Sequence, residues 1–205
     1  MLNRILNSIL LMVTKYQMRK YKQYPANSTA VVLVNVQNAF LTKPQQLITT
    51  LESLIIFARQ QGFQIIYAPY GSNADNPFPT PAQSKMQQQL VGTKNGFEVP
   101  EKLIPQDDDI VIQTRNKLSA FVETDLNQQL KDTGVEHLIF AGPLANITLD
   151  SSARDGVELG YHVTLLSDCT AAATLQEEQF ATQITFPRFS QTVVNLSELQ
   201  RLAVS

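Results

Sequence analysis

The chain has 205 residues, 43% hydrophobic and 17% charged, with 16 basic against 18 acidic side chains and a formal charge of -2. That is ordinary composition for one globular domain with a sizeable core, and it leaves no length for a second full domain. The balanced charge excludes a global attraction to nucleic acid, and one cysteine, Cys169, excludes an intrachain disulfide framework.

Residues 1–27 are expected to form a helical extension ahead of an α/β domain over residues 28–205. Leu2, Ile5, Leu6, Ile9, Val13 and Tyr16 recur at helical spacing, and Lys15, Arg19, Lys20 and Lys22 follow. Three readings of this amphipathic stretch stay open. It could pack on the domain or on a neighbouring subunit, lie on a membrane surface through residues 2–22, or be a poor signal peptide interrupted by Asn7 and Ser8. No segment is apolar for long enough to span a bilayer.

From there, Val- and Ile-rich runs alternate with longer segments of helical period, the pattern of βαβ units and a parallel sheet buried on both faces. Strands are predicted near 30–36, 63–69, 110–115, 137–142, 161–167 and 191–196. After the first, Pro44 can open a helix whose Leu47, Leu51, Leu54, Ile55 and Ala58 share a face, with Gly62 as its stop. The Pro-rich stretch Asn76 to Pro81 predicts a loop into a short Gln-rich helix over the sheet. Further helices are predicted near 124–133, 147–159 and 174–185. The expected fold is a doubly wound, mainly parallel six-stranded sheet with helices on both faces, Rossmann-like in type. Such sheets bind ligands at the carboxyl ends of their strands.

Three stretches carry a resemblance. Val31-Val32-Leu33-Val34-Asn35-Val36-Gln37-Asn38-Ala39-Phe40 is similar to the first strand and exit of the isochorismatase-like cysteine hydrolases, usually written LLVIDMQNDF. Arg115 to Phe121 resembles that family's Lys-x-x-x-Ser-Ala-Phe, with Lys117 where many members carry a second basic residue. Ala141 to Gly156, AGPLANITLDSSARDG, is similar to AGVxTNxCVxSTARDA. With Leu159 to Val163 and Ser167-Asp168, the likeness covers roughly residues 28 to 197. The resemblance implies the isochorismatase fold and a homo-oligomer, and no cofactor is expected. It also aligns Asn35, Arg115 and Thr148 with the family's catalytic Asp, Lys and Cys, and Ala39 with the second Asp of the first motif.

The chemistry at those positions differs from the family's. A thiol at a helix start is acidified by the helix dipole and a nearby Lys, and an Asp can take and return its proton. A threonine hydroxyl needs a strong adjacent base, whereas Asn35 accepts no proton and Arg115 stays protonated. Loss of the Asp also removes the acid that the family's vinyl ether cleavage uses. Asp168, Asp150 and Glu123 are nominal replacement acids, each expected to be a cap or surface carboxylate.

Replacing an Asp and Lys pair by Asn and Arg leaves about one positive charge uncompensated, so the site is expected to be wet or to recruit an anion. One reading is therefore a pseudoenzyme whose cationic pocket holds a small anionic ligand, anchored by Arg115 with Asn35 and Thr148 as hydrogen-bonding partners. A competing reading pairs Arg115 with an Asp or Glu of a neighbouring loop. Two alternatives for the whole protein stay open: a hydrolase of a small amide or vinyl ether through a relocated acid or a held water, and an oligomeric interaction module. Cys169 is expected to be a small buried hydrophobe, Lys117 solvated, and His137 and His162 to lie at the strand ends opposite the site, with no role and no metal. A cytoplasmic setting fits the single thiol.

Overall fold

A computed structural model describes residues 23–41, 45–72 and 77–203. The expected amphipathic stretch of residues 2–22 and the helix-opening Pro44 lie outside the described residues.

Six strands build the sheet: β1 Thr29–Val34, β2 Gln64–Ala68, β3 Ile110–Val111, β4 His137–Gly142, β5 His162–Thr170 and β6 Thr192–Val194. Every pairing is parallel and the order is β3-β2-β1-β4-β5-β6. The chain winds outward from β1 through β2 to β3, then returns to pair β4 on the other side of β1. The topological switch point therefore lies between β1 and β4, where the carboxyl ends open a crevice.

Alternation along β1 decides what each face buries. Val31 and Leu33 point into one core with Leu47, Leu51, Leu54 and Ala58 of α1, Gln45–Gln61, and Leu199 of α6, Leu196–Ala203. Ala30, Val32 and Val34 point into the other, with Leu126 and Leu130 of α3, Leu126–Asp132, and Ala153 of α4, Asp150–Glu158. All six β1 residues are buried, as a strand covered on both faces requires. The edge strand β3 is two residues long with Val111 half exposed, a length too short to template pairing with another chain.

Two further helices shape the crevice. α2, Pro81–Gly92, starts where the sequence predicts, with Pro81 in its first turn and a capping box in which Thr80 and Gln83 satisfy each other's backbone N–H. α5, Leu175–Phe180, has the same device in Thr174 and Glu177, then widens into a π turn at Ala181–Thr185.

Three expectations change in detail. The predicted strand 110–115 pairs regularly only at 110–111; the chain then leaves the sheet and returns for a single bridge between Arg115 and Tyr70. The helix expected from 147 opens at Ala145 as a π turn, Ala145–Leu149, before becoming α4. Strand β5 runs on to Thr170, so Asp168 and Cys169 lie within it rather than after it.

Candidate functional site

Asn35 leaves β1 in the left-handed region, φ 57°, a conformation Asn tolerates better than other residues with a Cβ. The turn there is held by Gln37, whose amide oxygen accepts from the Tyr70 N–H at 2.8 Å while its nitrogen donates to the Tyr70 carbonyl at 2.9 Å. One side chain thus mimics a strand neighbour for the segment beyond β2. At the exit of β4, Gly142 has φ 135° and passes so close to β1 that a Cβ would lie 2.2 Å from the Val34 carbonyl oxygen. Leu144 then takes a left-handed turn, φ 59°, into the π turn that carries Thr148.

These turns bring the three residues singled out from the sequence into one hydrogen-bonded row. Arg115 donates from Nη2 to Asn35 Oδ1 at 3.0 Å, and Asn35 donates from Nδ2 to Thr148 Oγ1 at 3.0 Å. Arg115 also donates from Nε to the Ser119 carbonyl at 3.0 Å, and from Nη1 to the Ala68 and Pro69 carbonyls at 2.8 and 2.9 Å. The four-residue spacing between Arg115 and Ser119 is thus closed by a bond. Ser152 supports the far side, donating to the Thr148 carbonyl at 2.6 Å and accepting from the Ala120 N–H at 2.9 Å.

Donor polarity fixes what this row can do. A guanidinium only donates, so the Asn35 oxygen must face Arg115 and its NH2 must face Thr148. The group presented to the threonine hydroxyl is therefore a donor and cannot take its proton. Arg115 is buried and its pKa is pulled down by burial to about 10, partly offset by the Tyr70 phenol, so it stays charged at neutral pH.

The expected wet or anion-filled site gives way to a third arrangement. Asn35 and Thr148 have no exposed surface and Arg115 has 3%. Four of the five guanidinium N–H groups are directed at carbonyl oxygens and at Asn35, and the Tyr70 ring lies 5.9 Å away. Carbonyl dipoles do the work expected of a ligand or a loop carboxylate. Among the described residues no carboxylate pairs with Arg115.

A small apolar cluster closes over the row. Ala39, Phe40 and Tyr70 from the strand exits pack with Met86 and Leu90 of α2, and Leu118, Leu144 and Ile147 lean on them. Beside this cluster a cavity of about 270 Å³ opens between α2, the Pro143–Ile147 turn and Ala171–Ala173. Its lining includes Phe40, Met86, Leu144, Ile147, Lys85 and Gln89.

The other candidates lie outside the row. Asp168 accepts from the Leu196 N–H at the start of α6, Asp150 pairs with Arg154 on α4, and Glu123 pairs with Lys117 at 3.3 Å on the surface. None of the three carboxylates joins the row. Cys169 is buried, and burial aided by the neighbouring Asp168 charge pushes its thiol pKa up. His137 and His162 are paired in register at the amino ends of β4 and β5, ring centroids 4.8 Å apart. Among the described residues no group of His, Cys, Asp and Glu could hold a metal, and no helix is long and apolar enough to cross a membrane.

Gln37, Ser152 and the cavity face of α2 were not identified as site residues from the sequence. A signal existed for Gln37, an amide three residues past the end of the strand within the first motif. For Lys85 and Met86 there was none beyond their helical spacing.

The Isochorismatase domain model matches residues 29–195. The chain is 28% identical over 180 residues to the ureidoacrylate amidohydrolase RutB of Yersinia enterocolitica, covering 73% of this chain and 78% of that protein. Its fold matches a cysteine hydrolase from Pseudomonas syringae with a TM-score of 0.74 at 24% identity, over 87% of this chain and 94% of that one. It also matches N-carbamoylsarcosine amidase from Thermoplasma acidophilum with a TM-score of 0.65 at 20% identity, over 82% and 95% of the two chains.

Proposed function

The chain belongs to the isochorismatase family, and from that premise we propose that it is a member without the family's hydrolytic chemistry, a pseudoenzyme that binds a small molecule at the carboxyl ends of its strands. The observation that carries this reading is the direction of the hydrogen bond from Asn35 to Thr148. A hydroxyl becomes a nucleophile only when a neighbour accepts its proton. Here the neighbour is an amide NH2, held in that orientation by Arg115. Vinyl ether cleavage needs a proton donor acidic enough to protonate carbon, and no carboxylic acid stands in the row. The substitutions keep the strand exits locked together, which preserves the cavity beside them.

A second reading is a hydrolase of a small amide with a non-standard acid and base. Its support is the names of the relatives, an amidohydrolase and an amidase. The test is ammonia release from a panel of ureido acids, N-carbamoyl amino acids and primary amides, run beside Thr148→Val. Turnover at or below that of the variant is the expected outcome. Turnover that the variant abolishes would overturn the proposal in favour of the second reading.

A further inference from the structure

The cavity beside the buried row has a chemistry of its own. Among the described residues its lining is apolar or small except for Lys85 and Gln89, which carry polar side chains. Ala82, Lys85, Met86 and Gln89 are spaced i, i+3, i+4 and i+7 on α2, so they share one helix face along the opening. Met86 is buried on the floor side while Lys85 is exposed at the rim. A lysine so placed lays its methylene stem along apolar surface and holds its ammonium where the cavity meets water. Among the described residues no carboxylate pairs with Lys85.

Resting on the small-molecule reading above, we propose that this cavity takes an amphiphilic monoanion, with its compact apolar body against Phe40, Leu144 and Ile147 and its anionic group on the Lys85 ammonium beside the Gln89 amide. The volume of about 270 Å³ lies just under the ~300–1,000 Å³ of ordinary ligand sites, which limits the body to a single ring or a short branched chain. A neutral apolar molecule would fill the cavity and leave the ammonium unmatched. A small polar anion such as acetate would meet the ammonium and leave the apolar walls wet. The ligand class that satisfies both is a ring or branched-chain carboxylate. Arg115 takes no part, because its donors are turned toward carbonyl oxygens.

Phenylacetate, phenylacetamide and acetate serve as probes, followed by titration calorimetry and ligand-observed NMR on the full chain. Phenylacetate is expected to bind, phenylacetamide more weakly, and acetate not measurably. Lys85→Met, which keeps the stem and removes the charge, is expected to weaken phenylacetate roughly fivefold to tenfold and to leave phenylacetamide unchanged. Ala82→Phe, or Ala172→Phe should that variant not fold, is expected to abolish binding of both by filling the cavity. The proposal is overturned if phenylacetate does not bind, if acid and amide bind equally, if Lys85→Met changes nothing, or if binding survives both filled-cavity variants. Ammonia release from phenylacetamide in the same samples would instead sink the non-hydrolytic reading, whatever the Lys85 result.

Discussion

Arg115 is the residue on which most of the site depends. Arg115→Ala would strip the Pro69 and Ser119 carbonyls and the Asn35 oxygen of this donor in a buried space, while the Ala68 carbonyl keeps the Asn35 N–H, at an expected cost of about 3–5 kcal/mol. Arg115→Lys keeps the charge but replaces a planar fork by a point, and should recover only part of that. Denaturant midpoints of the two variants would check this, and equal stability to the wild type would refute the view that Arg115 serves the fold. Thr148→Val keeps the shape and removes only the acceptor of the Asn35 amide, so about 1–3 kcal/mol is expected. Burial raises the Cys169 thiol above its ordinary 9.0 and, with smaller opposing hydrogen bonds, the Tyr24 phenol above its ordinary 10.0. Both groups keep their protons longer when folded, so their stabilisation is intact below pH 9 and is lost as pH rises beyond it. Arg115 works the other way: its folded pKa of about 10 lies below its ordinary 12.5, so the cost of keeping the buried group charged is present at neutral pH and is relieved only as pH rises through 10. The melting temperature should therefore begin to fall between pH 9 and 10, and Cys169→Ala should flatten that first decline. Arg115, Thr148 and Cys169 were singled out in the sequence and Tyr24 was not, and the bonding of none of them was legible there. Side-chain charge suggested an unmet cation at 115, and only the folded path of the Ala68, Pro69 and Ser119 carbonyls shows how it is met.

The elements that hold the site answer to local rules, and this is why most were legible. Period-two and period-3.6 patterns placed all six strands and α1, and the Thr-Pro-x-Gln start of α2 is written in its sequence. Thr80→Ala should cost about 1 kcal/mol through loss of the cap and loosen the wall that carries Met86 and Lys85. Amide exchange along residues 82–86 would report it. What escaped the pattern were the departures from regular geometry. A π turn at Ala145–Leu149 has no periodic signature, and the two-residue β3 is set by where Arg115 must return to bridge Tyr70. Gly142→Ala tests the tightest of these junctions. Its Cβ would collide with the Val34 carbonyl at a backbone angle L-residues rarely adopt, so loss of folding, or at least about 3 kcal/mol by chemical denaturation, is expected. A stability loss near that of an ordinary surface substitution would show that the β1 and β4 exits can separate.

At the scale of the whole molecule, the fully parallel sheet with its two cores places the switch point between β1 and β4, and that follows from strand order alone. The location of the site was therefore legible before its chemistry. Its closure was not, because the apolar cluster over it draws one or two residues from each of five separate stretches: Ala39 and Phe40, Tyr70, Met86 and Leu90, Leu118, and Leu144 and Ile147. Long-range packing of that kind leaves no trace in a window of sequence. The same closure makes Thr148 unreachable. A Thr148→Cys variant is expected to show no rapidly alkylated thiol until the protein unfolds, and fast modification by iodoacetamide would show that the cluster opens.

The one-way order of the buried row has a consequence for proton movement. A file of hydrogen bonds passes a proton along when each member can both receive one and release one, turning over after each hop. Water does this, and so does a carboxyl group. Arg115 can only give, and the Asn35 amide cannot turn over without breaking its bonds at both ends. Across the carboxyl ends of β1 and β4 this protein has in effect placed an insulator.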